Sequence, residues 1–242
     1  MVGLGTLINV ACIVGGGLVG LFASSLVTER LQDALMKSCG VCVMFVGIAG
    51  ALEKMLTGLV RTDGTVAFGT AGSMMLVASM AVGTVLGEVA DLDGRFEGLG
   101  TWLRDKTGSS GDGRFVDGFV TASLTVCIGA MAIVGSIQDG LTGDYSTLAL
   151  KGVMDAIIVC AMAASMGKGC VFSALPVGVF QGCVTALATL LHPVMTEAAL
   201  ANLSLVGSVL IFCVGVNLIW PRTFKPANML PAMVVAAALA FV

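Results

Sequence analysis

Apolar residues along this chain come in long unbroken runs rather than in strict alternation. No formal charge stands between Met1 and Thr28, and further uncharged runs cover 64–87, 118–138, 169–196 and 198–221. At roughly 1.5 Å rise per residue, each run is long enough for a helix to cross a hydrocarbon layer of about 30 Å. Short turns such as Thr28-Glu29-Arg30 and Trp220-Pro221-Arg222 punctuate the runs with charges, an aromatic and a proline. The pattern predicts an all-α, polytopic helical membrane protein of about eight transmembrane helices, near 3–25, 32–52, 65–90, 115–137, 148–166, 169–191, 197–220 and 228–242. Only 91–113 is a long polar connection, and its Gly-Ser-Ser-Gly-Asp-Gly run at 108–113 predicts a flexible loop. The chain, 1–242, reads as one transmembrane domain carrying that loop on its cytoplasmic side.

Composition supports lipid as the solvent. With 57% hydrophobic and 11% charged residues, a water-soluble fold of this length would expose much of its apolar surface. In the eight-helix arrangement Arg30, Lys37, Arg95, Arg104, Lys106, Arg114, Lys168, Arg222 and Lys225 fall on one side, against Lys54, Arg61 and Lys151 on the other. The positive-inside bias makes the richer side cytoplasmic, which places both termini outside a bacterial inner membrane. A formal net charge of -3 offers no basic surface for nucleic acid. The N-terminus lacks a positive n-region, so its first apolar run reads as a retained helix.

The eight cysteines lie in or beside apolar segments and read as small buried side chains. Cys39-Gly-Val-Cys42 has metal or redox spacing, but it has no second pair and the chain holds a single histidine, His192. No metal site and no cofactor are expected. No serine, histidine and aspartate set can be built around this single loop histidine, and no Walker phosphate loop is present. The chain therefore reads as neither an enzyme nor an ATP-driven pump.

Intramembrane polar side chains are expensive in hydrocarbon and are the natural place to look for function. The densest group is Ser136, Gln138 and Asp139, then Asp144, Lys151 and Asp155, then Ser173 and Gln181; Asn9 stands in the first apolar run. Lys151 and Asp155 are one helical turn apart, which fits either a structural ion pair or a cation or proton site facing a polar cavity. Gly15, Gly16 and Gly17 in the first helix and Pro176 in the sixth are candidate helix breaks, where freed backbone groups could meet a solute; the alternatives are close packing at the glycines and a simple kink at the proline. Gly16-x-x-x-Gly20, Gly83-x-x-x-Gly87 and Gly178-x-x-x-Gly182 have the spacing of close helix contacts, within a subunit or in a homo-oligomer.

A shift of 168 positions pairs Glu29 with Glu197, Leu35 with Leu203, Val41 with Val209, Val46 with Val214, Gly47 with Gly215 and Lys54 with Arg222. Apolar segments match by chance easily, so coincidence and duplication both stay open. A duplication would relate helices 1–3 to helices 6–8 with reversed orientation, the inverted repeat common in secondary transporters.

Four stretches carry a family resemblance: Gly3-Leu-Gly-Thr-Leu-Ile-Asn9 leading into Gly15-Gly16-Gly17; Glu29-Arg30-Leu31; 129–136 through Asp144-Tyr-Ser-Thr147; and Lys151 to Asp155 with Phe172-Ser-Ala-Leu-Pro176 and Gln181-Gly182. On these the chain resembles the uncharacterised bacterial membrane family DUF554. The resemblance implies an integral membrane protein, sometimes labelled a transport protein, and brings no established substrate or site residue. The expected function is a transporter or channel for a small solute or ion, lined by the polar residues named above. The alternative is an accessory or scaffold protein that recruits a partner through 91–113.

Overall fold

The structure, a computed structural model, describes residues 2–24, 28–60, 66–109, 113–128, 130–193 and 195–241. Arg61 and the centre of the glycine-serine run, 110–112, lie outside these. In chain order the elements are α1 (Leu4–Ser24), α2 (Glu29–Met55), β1 (Leu56–Val60), β2 (Val66–Thr70), α3 (Ser73–Ala90), α4 (Leu92–Lys106), α5 (Phe115–Cys127), α6 (Ala130–Thr142) and α7 (Ser146–Met166). A 3-10 stretch (Lys168–Ser173) then leads into α8 (Ala174–Ala186), α9 (Ala188–Leu191), α10 (Glu197–Ile219), α11 (Pro226–Met229), α12 (Pro231–Ala238) and a last 3-10 turn (Leu239–Phe241).

Among the described residues six helices are long and apolar enough to cross a membrane: Leu4–Ser24, Met36–Met55, Ser73–Ala90, Ser146–Met166, Lys168–Ala186 and Glu197–Ile219. The bent pair α5 and α6, meeting at 63°, makes a seventh if it is one span, and Pro226–Phe241 is a shorter apolar stretch. Large apolar side chains on these helices face outward, Phe22 at 77%, Met74 at 84% and Val89 at 83% exposure, as lipid contact requires.

Three elements differ from the expectation. The third helix starts at Ser73, not near 65, because an antiparallel hairpin precedes it, with Leu56 opposite Thr70 and Val60 opposite Val66. Val66, Phe68 and Thr70 favour strand, and Gly72 at φ 77° resets the chain before the helix begins. The segment expected at 115–137 is two helices, α5 ending at Cys127 and α6 starting at Ala130. The polar connection is mostly helical: Asp91, left-handed at φ 46°, ends α3, and its carboxylate accepts the Gly94 N–H at 3.4 Å to start α4. That helix is held to the bundle by Leu103, packed with Phe115 and Phe119.

Close glycine contacts assemble the bundle. Gly16 and Gly20 of α1 lie on the backbone carbonyls of Ala156 and Cys160, while Gly152 of α7 receives Asn9 and Cys12, so α1 and α7 run parallel at very short range. On α2, Gly40 meets Gly215 and Leu218 of α10, Gly47 meets Ser208 and Phe212, and Gly50 meets Ser208. The contact partners descend as the α2 numbers rise, so this pair is antiparallel. A third pair, again antiparallel, sets Gly83 of α3 against Ala232 and Gly87 against Asn228.

The candidate break at Gly15, Gly16 and Gly17 does not occur: α1 is continuous from Leu4 to Ser24. Away from water no solvent competes for its backbone hydrogen bonds, so glycine there opens a packing surface rather than a gap. Gly16 and Gly17 face α7 and the 3-10 stretch, and Gly15 has nothing within 4 Å. Pro176 lies in the first turn of α8, where its missing donor is an orphan in any case, just after the 3-10 stretch becomes α-helix.

A candidate polar site among four helices

Three helices each present a pair of polar residues one turn apart. Thr6 and Asn9 lie on α1, Ser136 and Asp139 on α6, Gln181 and Thr185 on α8, and none of the six exceeds 7% exposure. All six carry a polar atom without a hydrogen-bond partner among the described residues: Thr6 Oγ1, both amide atoms of Asn9 and of Gln181, Ser136 Oγ, Asp139 Oδ1 and Thr185 Oγ1. Among the described residues only one further buried side-chain atom is in this condition, Asn228 Nδ2. A buried polar group left unmet costs about 1–3 kcal/mol, so such a concentration marks a site rather than a packing accident.

Contacts between the helices set the levels. Gly5 donates its N–H to Asp139 Oδ2 at 3.0 Å, and Gly140 rests on the Thr185 carbonyl. The first turn of α1 and the end of α8 therefore share one level with Asp139. Val10 then meets Gly178, earlier in α8, which makes α1 and α8 antiparallel and puts Thr6 level with Thr185 and Asn9 with Gln181. Leu148 of α7 wedges between Gly5 and Gly135, tying α7 to the same group.

α7 adds the charges. Lys151 Nζ donates to Asp155 Oδ2 at 2.5 Å and to the Val126 carbonyl at 2.8 Å, with 9% and 5% of the two charged side chains exposed. The carbonyl is available because α5 ends at Cys127, leaving its last-turn acceptors without helical donors. Asn9 faces the Asp155 carboxylate, its amide still lacking a well-formed hydrogen bond.

Asn9, Ser136, Asp139, Lys151, Asp155 and Gln181 thus converge on one region. Three residues expected with them do not, the first being Asp144, which is exposed and accepts the Ser146 N–H at 3.0 Å. Gln138 is exposed and accepts from Thr147 Oγ1 at 2.8 Å, and Ser173 is buried but donates to the Cys170 carbonyl at 2.7 Å on the 3-10 stretch. Sequence reasoning missed Thr6, Thr185 and the Val126 carbonyl. The one-turn spacing of Thr6 to Asn9 and of Gln181 to Thr185 was the signal available for the threonines.

A cleft of about 370 Å³ opens at the other end of the bundle, between α4, α5, α10 and the turn before α11. Asp93, Glu97, Asp117, Arg114, Arg222 and Lys225 line it. Arg114 Nη1 reaches the Ser165 carbonyl at 3.3 Å, and Arg222 lies 3.7 Å from Asp117. Burial, and after it the neighbouring Glu97 carboxylate, push the Asp93 carboxyl up from its ordinary value. Met166 lines the cleft and Asp155 stands eleven residues earlier on α7, an axial separation of about 16 Å. Val126, Val159 and Met162 form an apolar cluster that reaches Leu218 at the cleft. Among the described residues no group of three or more histidine, cysteine, aspartate or glutamate side chains converges.

Comparison with known proteins places this architecture. The model of the family described as "Protein of unknown function (DUF554)" matches residues 4–241. The uncharacterized membrane protein YdfK of Bacillus subtilis (strain 168) is 25% identical over 238 residues, covering 98% of this chain and 96% of the relative. The uncharacterized protein YqgA of Escherichia coli (strain K12) is 24% identical over 243 residues, covering 98% and 95%. No solved structure matches the chain. A match to the family model over nearly the whole polytopic bundle makes this chain a member of the DUF554 family of membrane proteins.

Proposed function

We propose that the protein is a carrier for a small polar solute or ion in a bacterial inner membrane, not driven by ATP hydrolysis on this chain and not an enzyme. The observation that carries this reading is the buried set Thr6, Asn9, Ser136, Asp139, Gln181 and Thr185, whose unmet polar atoms are placed to hold a polar guest. The charged cleft would be the cytoplasmic vestibule and the apolar cluster below it the closed gate. On that orientation both termini are outside.

The close contacts of α2 and α10 support an inverted repeat. Under the 168-residue shift, contact of Gly47 with Phe212 becomes contact of Met44 with Gly215, Gly40 with Gly215 becomes Gly47 with Ser208, and Gly50 with Ser208 becomes Gly40 with Leu218; all occur. Val10 and Gly178, themselves 168 apart, touch each other, as residues on a two-fold axis must. An antiparallel helix pair tends toward such reciprocity, but the register of the crossing agrees with a shift read from sequence alone. A two-fold through these crossings would let the halves rock about the site and expose it to each side in turn.

Reconstitution into liposomes with a panel of inorganic ions and small polar metabolites tests the proposal. Wild-type protein is expected to give flux above protein-free vesicles, and an Asn9→Leu, Gln181→Leu double variant only background. Equal flux from both proteins, or none from either across the panel, removes the reading.

A further inference from the structure

We propose that Asp139, Thr6, Thr185 and Ser136 form a binding site for a dehydrated monovalent metal cation of the sodium or potassium class. The inference deepens the carrier reading by naming an ion for part of the same site. It begins with a charge imbalance. Among the described residues the buried charged side chains of the four-helix region are Lys151, Asp139 and Asp155. The Lys151 ammonium already engages Asp155 and the Val126 carbonyl. Asp139 is fully buried, and among the described residues no lysine or arginine side chain pairs with it.

Among the described residues its partner is the Gly5 N–H at the start of α1. That contact satisfies Oδ2 and brings the partial positive charge of a helix N-terminus, equivalent to about half an elementary charge. The compensation is incomplete, and Oδ1 has no donor. A structural capping carboxylate would need no more oxygens around it. Here hydroxyls of Thr6 and Thr185 stand on the same level on two other helices, and the Ser136 hydroxyl is one turn away on α6, all three buried and without partners.

The donor chemistry selects the ion class. All four ligands are hard oxygens, one anionic and three neutral, with the amide oxygens of Asn9 and Gln181 one turn deeper. Calcium sites use six to eight oxygens and several carboxylates, and magnesium keeps much of its water, so a single buried carboxylate suits neither. Zinc and other borderline metals favour thiolate or imidazole, and neither converges here among the described residues. One negative charge with neutral oxygens matches one positive charge.

Cation binding is measured by thermal unfolding of the full chain purified in detergent, in N-methylglucamine chloride exchanged stepwise for sodium or potassium chloride at constant ionic strength. The expected result is a saturable rise of several degrees in Tm with one of the two ions. Asp139→Asn abolishes the rise, Thr185→Val shifts its midpoint tenfold or more toward higher concentration, and the exposed Gln138→Ala leaves it unchanged. Should Asp139→Asn not fold, the near-isosteric Thr185→Val and Thr6→Val carry the test. Identical melting in all three salts, or a response untouched by these substitutions, overturns the site and means that water alone meets these oxygens. Liposome flux separates this failure from that of the carrier reading. Solute flux without any cation-dependent stabilisation sinks the cation site and leaves the carrier standing, whereas cation stabilisation without flux supports the site and sinks the carrier.

Discussion

Two regions of this molecule use the same device, glycine-mediated close packing, for opposite ends. Around α2 and α10, Gly40, Gly47, Gly50 and Gly215 bring backbones together, and Ser208, a polar side chain at the crossing, satisfies itself on the Ser204 carbonyl at 2.7 Å. Around α1 and α7, Gly16, Gly20 and Gly152 do the same work, yet these two helices with α6 and α8 hold six buried residues with unmet polar atoms and a buried ion pair. Close packing forces the backbones into register, but it does not dictate what the remaining faces carry. One region spends its side chains on apolar fit, and the other keeps groups that cost stability unless something polar visits them.

The largest effect is expected where the second region is most exposed to damage. Replacing Asp155 by Leu strands a buried ammonium between α5 and α7, and removing one partner of such a pair costs about 3–5 kcal/mol. The loss appears as a large fall in Tm in detergent or as failure to purify monodisperse protein. A Lys151→Met, Asp155→Leu double variant is expected to recover most of that loss, because replacing both charges by apolar groups is often neutral or better. If the double variant is as unstable as the single, the pair contributes something beyond mutual neutralisation, and the contrast with the apolar crossing is sharpened.

Glycine contacts supply the next test. A side chain at Gly16 would intrude on the Ala156 carbonyl, whereas one at Gly15 meets nothing within 4 Å. Gly16→Val is expected to destabilise at or above the upper end of the about 1–3 kcal/mol seen for overpacking, since backbone rather than a flexible side chain stands in the way. Gly15→Val on the lipid-facing side should leave Tm unchanged. Equal losses at both positions would mean that the cost is helix propensity, and α1 would not owe its position to this contact.

These residues also show what the sequence could convey. Uncharged runs marked the long helices because hydrocarbon penalises charge whatever the tertiary fold, and Lys151 with Asp155 was legible because a one-turn spacing on a helix is local. Asn9, Ser136, Asp139 and Gln181 stood out for the same reason, as polar letters in apolar text. Thr6 and Thr185 did not, since threonine in a membrane helix ordinarily returns its hydroxyl to a carbonyl one turn back, and only the fold shows that these two have no partner. The end of α5 was illegible because no proline marks it; its consequence, a carbonyl offered to Lys151, is a tertiary event. α4 hid in a stretch rich in charge and glycine whose helix depends on docking Leu103 against Phe115 and Phe119. The glycine triplet stayed ambiguous between a break and a packing surface, because composition alone does not distinguish a weak helix from a flat one.

Stability and flux should part company at the polar set. Asn9→Leu and Gln181→Leu, singly, replace unmet amides with side chains of similar bulk, and removing a buried unsatisfied group is expected to leave Tm unchanged or raise it by an amount corresponding to about 1 kcal/mol. Liposome flux should fall to background in both. A parallel loss of stability and flux would mean that these amides are met by neighbours in the working protein, and the cost that distinguishes this region would vanish.

The smallest effect belongs to the packing region and completes the comparison. Ser208→Ala removes a hydroxyl that donates to its own helix and lies over Gly50, so neither partner is left as an unmet buried donor. The expected change in stability is about 0.5 kcal/mol, at the low end for an intramolecular hydrogen bond, with flux the same as wild type. Ser208 lies at the α2 and α10 crossing, where rocking of the two halves would be centred, so a flux change there has a definite meaning. If Ser208→Ala cuts flux as deeply as Asn9→Leu while Tm holds, the crossing takes part in the transport cycle as more than a hinge surface, and the separation between a packed region and a polar region fails at its most apolar point.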